Sequence, residues 1–275
     1  MEKRMKLAVL LLAACGLLVA ADPPAVDSTL ADGYRAMYNL RFAEAHQNFD
    51  RYRKAHPADA MGPVSTAAAH LFGEFERLKI LQSEFFTHNE SFFSLRKPPA
   101  DPSVKRRFNE TLATARELST ARLLLDPRDP DALLADTIRL GLSANFLSLI
   151  EKKSLDALKE VKESRAVAVK LLVARPDYYD AHLAAGVENY LLSQKAAPVR
   201  WVLNMAGAQT NLDTGIEELK ITAEKGHYLL PYARLLLAVA DLRAKDPASA
   251  RARLEWLAAE FPGNPLYRLE ADRLR

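Results

Sequence analysis

Apolar positions recur along the chain at helical spacing, and the stretches that carry them are cut by proline. Leu118, Ala121, Arg122 and Leu125 mark one such face; Val161, Ala168, Leu171 and Leu172 mark another. This spacing predicts helices that each bury one stripe. No period-2 alternation of strand type runs anywhere, so the pattern predicts an all-α fold. The breaks fall at Ala55-His56-Pro57, Lys97-Pro98-Pro99, Asp126-Pro127, Arg175-Pro176, Asp246-Pro247 and Phe261-Pro262. Proline lacks the amide hydrogen and disfavours helical geometry in the residue before it, so each break stops or starts a helix. Small residues crowd certain turns, as in Ala67-Ala68-Ala69, Ala184-Ala185-Gly186 and Ala258-Ala259, and would let helices approach closely.

The prolines close a recurring unit. A small residue is followed four positions later by a larger one, and eight positions after that by proline. Ala45, Phe49 and Pro57 fit it, as do Ala250, Leu254 and Pro262. Ala115, Ser119 and Pro127 keep the spacing with a weak middle residue, and Ser164, Ala168 and Pro176 keep it more weakly. Gly33 precedes Ala45 by twelve residues. This pattern resembles the second helix of the tetratricopeptide repeat, with Gly33 at the family's first-helix glycine. The small residue admits the neighbouring helix, the large one plugs the hairpin, and proline ends the unit. The spacings between the four prolines are irregular, so insertions or longer helices must interrupt the array.

From Gly186 onward the segments GVENYLL, PVRWVLNMAGAQTNLDTGIEELKITAEKG, YARLLLAVADL and EFPGNPLY resemble the C-terminal region of the eukaryotic inclusion-body clearance family, a divergent tetratricopeptide family. The resemblance covers about a third of the chain and implies architecture only. Together these readings predict a right-handed α-solenoid of ten to twelve helices over residues 28–275.

The N-terminus changes the picture of where the protein works. Lys3, Arg4 and Lys6 precede an apolar run from Leu7 to Val19, and Ala20-Ala21 precede Asp22-Pro23-Pro24. This is the anatomy of a secretory signal over residues 1–21, followed by a linker at 22–27. It predicts a periplasmic or secreted protein. Leu12-Ala13-Ala14-Cys15 resembles a bacterial lipobox, so a lipoprotein anchored through Cys15 is the alternative, and the only route to a membrane in this reading. Removing the leader lowers the net charge from +3 to +1, which gives no support for nucleic-acid binding. Cys15 is the sole cysteine, so a mature chain has no disulfide and no thiol chemistry.

Candidate chemistry is sparse. The histidines at 46, 56, 70, 88, 182 and 227 are scattered, with no close ligand pair, so neither a metal nor a cofactor is expected. Ser94-Leu95-Arg96-Lys97 has the serine–lysine spacing of penicillin-binding enzymes but runs into Pro98-Pro99. Asp126, Asp129 and Asp131 lack the glycine and terminal glutamate of a calcium loop and read as a helix stop followed by an N-cap. Asn89-Glu90-Ser91 and Asn109-Glu110-Thr111 are formal glycosylation sequons.

Two surfaces suit a partner. Tyr34, Met37 and Tyr38 would line the concave groove of a tetratricopeptide array, or else pack on the next hairpin. Pro198 to Asn211, with Val199, Arg200, Trp201, Val202, Leu203 and Met205, stands where a plain repeat has a short turn. It either folds back as a buried helix or presents an apolar contact surface. The sequence thus predicts a non-catalytic envelope scaffold for protein or peptide partners. A hydrolase acting on wall material, its site assembled from dispersed histidines and carboxylates, is the rival.

Overall fold

A computed structural model describes residues 26–81, 99–205 and 207–275. The leader with Cys15, the serine–lysine motif, His88 and the sequon at Asn89 lie outside the described residues. Within them the chain is all-α, with no strand.

Twelve α-helices are described: α1 Ser28–Tyr38, α2 Phe42–Ala55, α3 Met61–Arg77, α4 Pro102–Leu125, α5 Pro130–Asn145, α6 Ser154–Ala174, α7 His182–Ser193, α8 Ala197–Met205, α9 Leu212–Lys225, α10 Leu230–Arg243, α11 Pro247–Glu260 and α12 Pro265–Arg273. A π-turn, Phe146–Ile150, extends α5. Pro130–Ile150 is long and apolar enough to cross a bilayer by length and composition, but half of that apolar stretch is buried inside the body.

The recurring unit is visible as geometry. α2, α4, α6 and α11 each end two residues before a proline. The residues between, His56, Asp126, Arg175 and Phe261, all leave the helix with φ between −127° and −142° and ψ between 63° and 101°. That is the extended conformation a following proline imposes. In each case the residue two past the proline donates its amide back across the turn: Asp59 to His56, Asp129 to Asp126, Tyr178 to Arg175 and Asn264 to Phe261, at 3.0 to 3.2 Å. Two of those residues then cap the next helix, Asp129 accepting from Ala132 N and Asn264 from Leu266 N, while Asp59, two residues before the start of α3, accepts from Met61 N. One turn is therefore built four times.

All eight small and large positions of the unit are buried: Ala45, Phe49, Ala115, Ser119, Ser164, Ala168, Ala250 and Leu254. A Cβ on Gly33 would overlap the Phe49 ring, so glycine is what lets α1 and α2 mate. Periodicity alone misleads on α4, where Leu125 is 90% exposed and Ala121 is also exposed, while Phe108, Ala115 and Ser119 turn inward. The stripe that repeat spacing selects wins, because that is where α3 and α5 press.

Packing runs mainly between helices consecutive in sequence; α1 also meets α3 and α3 meets α5, and the most extensive departure is that α7 packs directly on α9 without α8 between them. Gly186 sits against Leu219, which a Cβ would meet at 2.9 Å, and Gly215 lies so close to α7 that a Cβ would stand 2.6 Å from Tyr190 N. In the first hairpin the glycine and its plug, Gly33 and Phe49, are 16 residues apart; here they are 33 apart. The surplus is an excursion carrying α8.

The array does not stay open. Tyr38 donates its hydroxyl to the Tyr228 carbonyl at 3.0 Å, Gly263 N donates to the Asn39 side chain at 2.9 Å, and Asn264 reaches the Tyr38 carbonyl. Tyr34 packs on Tyr228 and Tyr38 on Phe261. The first helix is thus sealed by the C-terminal third.

Candidate functional site

This closure decides the fate of the first predicted surface. Tyr34, Met37 and Tyr38 are at most 3% exposed. They do not line a free groove; the space in front of them is filled by Tyr228, Phe261 and Phe72 of the same chain. Of the two readings the sequence allowed, packing is the one the structure displays.

Where the first helix meets the later turns, a cleft of about 100 Å³ opens. Its wall comes from five places far apart in sequence: Asp27 and Leu30 at the start of α1, Tyr52 and Asp59 around the second turn, Asp131 of α5, and the two turns holding Tyr178 to Asp180 and His227 to Tyr228. The carboxylates are there because helix starts converge. Asp27 caps α1, accepting from Thr29 N and Leu30 N. Asp59 accepts from the Tyr52 hydroxyl at 2.7 Å, and Asp131 from the Tyr178 hydroxyl at 2.7 Å. Both phenols are pushed well above their ordinary range, first by burial and then by the carboxylate each one touches.

Asp180, at the floor, is buried and accepts backbone amides from His227, Tyr228 and Leu229 at 2.9 to 3.2 Å. Burial raises its pKa, and these amides pull against that shift. It latches the α9–α10 turn to the 178–180 turn. Two guanidinium groups stand at the wall, Arg122 at 3.8 Å from Asp131 and Arg175 at 5.1 Å over the Tyr178 ring, and the His56 ring lies 3.9 Å from Asp27. Asp59 also belongs to a wider surface groove of about 420 Å³, past His56, Pro57, Pro63 and Leu118.

The second predicted surface is exposed. No residue of α8 is buried; Trp201 is 65% and Met205 71% exposed, with Val199 and Val202 also open, while Leu203 and Arg200 are half-buried. Of its two readings, the buried helix is not what forms. The excursion is tied to the body through its descending limb: Gln209 N donates to Glu188 and Asn211 N to the Asn189 side chain. Glu188 is itself fully buried and paired with Arg165 at 2.5 Å. Burial raises the Glu188 pKa, against the Gln209 amide and the Arg165 charge.

The remaining candidates are structural. Asp126 and Asp129 form the turn and cap expected of them, with Arg122 on Asp129 at 2.7 Å. Thr111 bonds back to the Arg107 carbonyl within α4, so its sequon lies on a helix. The His46 and His70 rings meet at 4.4 Å with their planes tilted by 42°, and His182 pairs with Glu218. Among the described residues no group of three or more His, Cys, Asp or Glu could hold a metal ion. The cleft was missed by sequence reasoning; the P-x-D spacing of Pro57-Ala58-Asp59, shared with Pro127-Arg128-Asp129, was the one available hint. Comparison with protein-family models, with curated proteins and with solved structures finds no match to this chain.

Proposed function

We propose that this protein is an exported, non-catalytic scaffold of tetratricopeptide-like hairpins in the bacterial cell envelope. In this reading the hairpins follow a right-handed solenoid whose two ends have met, and the protein holds a protein or peptide partner by a basic side chain at the tyrosine- and aspartate-lined cleft. The observation that carries this is the wall itself: Asp27, Asp59 and Asp131 beside the rings of Tyr52, Tyr178 and Tyr228, with Arg122 and Arg175 at the Asp131 and Tyr178 side. Carboxylates offer charge and tyrosine faces offer their quadrupole, the combination that attracts an ammonium or guanidinium group.

Size points the same way. A space of about 100 Å³ admits the end of one side chain, whereas small-molecule sites run to about 300–1,000 Å³. The adjoining groove at Asp59 gives the flanking residues of a peptide somewhere to lie. The hydrolase reading has weaker support, because the carboxylates along the cleft already serve as caps and acceptors for neighbouring groups.

The test is affinity capture from the native envelope with the processed chain as bait, beside a double variant, Asp59→Asn with Asp131→Asn. Asp131→Asn keeps an acceptor oxygen for the Tyr178 hydroxyl, Asp59→Asn keeps one of the two that serve the Tyr52 hydroxyl and the Met61 amide, and both lose the charge. The expected outcome is a partner that elutes with salt and is absent from the variant. A captured set identical for both proteins overturns the cleft as the binding site.

A further inference from the structure

Helix α8 is amphipathic with its faces reversed. On a helical projection Pro198, Trp201, Val202 and Met205 fall on one side, at the spacing that normally marks a buried stripe, and all four are exposed. Arg200 and Asn204 lie opposite. The Arg200 guanidinium donates to the carbonyls of Ser193 and Lys195, at 3.4 and 3.0 Å, where it closes the C-terminal end of α7. Asn204 accepts from the Thr210 hydroxyl at 2.9 Å within the excursion. Arg200 is therefore turned to the body, with Leu203 half-buried on the same side, and the apolar stripe faces water. The glycines of α7 and α9 let those helices mate directly, without α8 between them.

We infer that α8 lies flat in the interfacial layer of an anionic lipid bilayer and holds the protein to the membrane surface. Two properties of the excursion select this occupant. From Asn189 to Asn211 there is no acid, and with Arg200 turned to the α7 carbonyls the positive charge beside the excursion comes from Lys195 and from Lys162, whose Nζ comes within 4.0 Å of where a Cβ of Gly207 would be. That charge is complementary to phospholipid headgroups. Second, a nine-residue helix is about 14 Å long and about 10 Å across. Its single stripe falls far short of the roughly 800 Å² per partner of a stable protein interface. Interfacial insertion needs only a short apolar face with a tryptophan and neighbouring cations. The inference is independent of the cleft and of any lipid on Cys15.

The test uses the processed chain beginning at Asp22, in a Trp256→Phe background that leaves Trp201 as the single tryptophan. It is mixed with vesicles of phosphatidylcholine alone, or with a quarter of phosphatidylglycerol. Expected are a blue shift of Trp201 emission and co-sedimentation with the anionic vesicles, both weakened at about 0.5 M salt. A second protein, Trp256→Phe with Val202→Ser and Met205→Ser, keeps the fluorophore and should lose at least about tenfold in vesicle affinity. Since no residue of α8 is buried, its melting curve should not move. Three results overturn the inference: no association with either vesicle; association equal in both proteins; or a concentration-dependent dimer, dispersed by the same substitutions in the absence of lipid, which makes a second copy the occupant.

Discussion

The faces of α1 and α8 look alike on paper and end in opposite environments. Tyr34, Met37 and Tyr38 on one, and Val199, Trp201, Val202 and Met205 on the other, are short aromatic–aliphatic runs on helices of similar length. In the structure α1 is sealed beneath Tyr228 and Phe261, whereas α8 has no buried residue. The contrast teaches that an apolar stripe identifies a surface needing cover without saying whether the chain provides it. For α1 the C-terminal third does; for α8 none of the described residues does.

The largest effect should come from removing the plug that seats α1. Phe49→Ala empties a fully buried ring site between the first two helices and should cost about 3–5 kcal/mol in urea unfolding. A loss below about 1 kcal/mol would mean that α1 is not an integral part of the core. The closure of the two ends is sharpened by Tyr38→Phe, which deletes the hydroxyl bonded to the Tyr228 carbonyl and leaves that buried acceptor unpaired. About 1 kcal/mol of destabilisation is expected, together with faster amide exchange in the 226–229 turn.

A smaller effect is read through pH. Burial, helped by His46 and Arg107, lowers the His70 pKa to about 4. The native state therefore binds fewer protons than the unfolded chain between pH 4 and 6.5. The stabilisation is complete above about pH 6.5 and drains away as pH falls toward about 4. His70→Gln should flatten that part of the stability profile, by a modest amount because the ring is only part-buried. An unchanged slope would assign the acid sensitivity to other groups. The smallest effect is expected at the exposed helix: Trp201→Ala should leave stability within about 0.5 kcal/mol of the parent. A larger loss would show that α8 packs on the body in solution and would erase the contrast with α1.

Much of the local structure was legible in the sequence. The all-α class and the four proline-closed units followed from short-range signals, and the eight buried positions of those units were marked by their spacing. The reading failed wherever the answer depended on a distant element. On α4 the apolar count favoured the side with Leu125, while the packed side carries Ser119, a residue that hydropathy ranks poorly but that fits against a neighbouring helix. The cleft was invisible because Asp27, Asp59, Asp131 and Asp180 are scattered over more than 150 residues and meet only after folding.

What the sequence by itself determined is where helices begin and end and which residues mate within a hairpin. Those are set by interactions a few residues long, the proline ring against the preceding residue, the cap against the next amides, and the glycine beneath its plug. Only the tertiary structure decided which hairpins meet at long range. The first helix lies against the last turns through pairs such as Tyr38 with Tyr228 and Tyr38 with Asn264, 190 and 226 residues apart, and no local stretch encodes them. The same holds at α8: Gly186 and Gly215 bring α7 and α9 together, a long-range contact that the inserted helix itself does not encode.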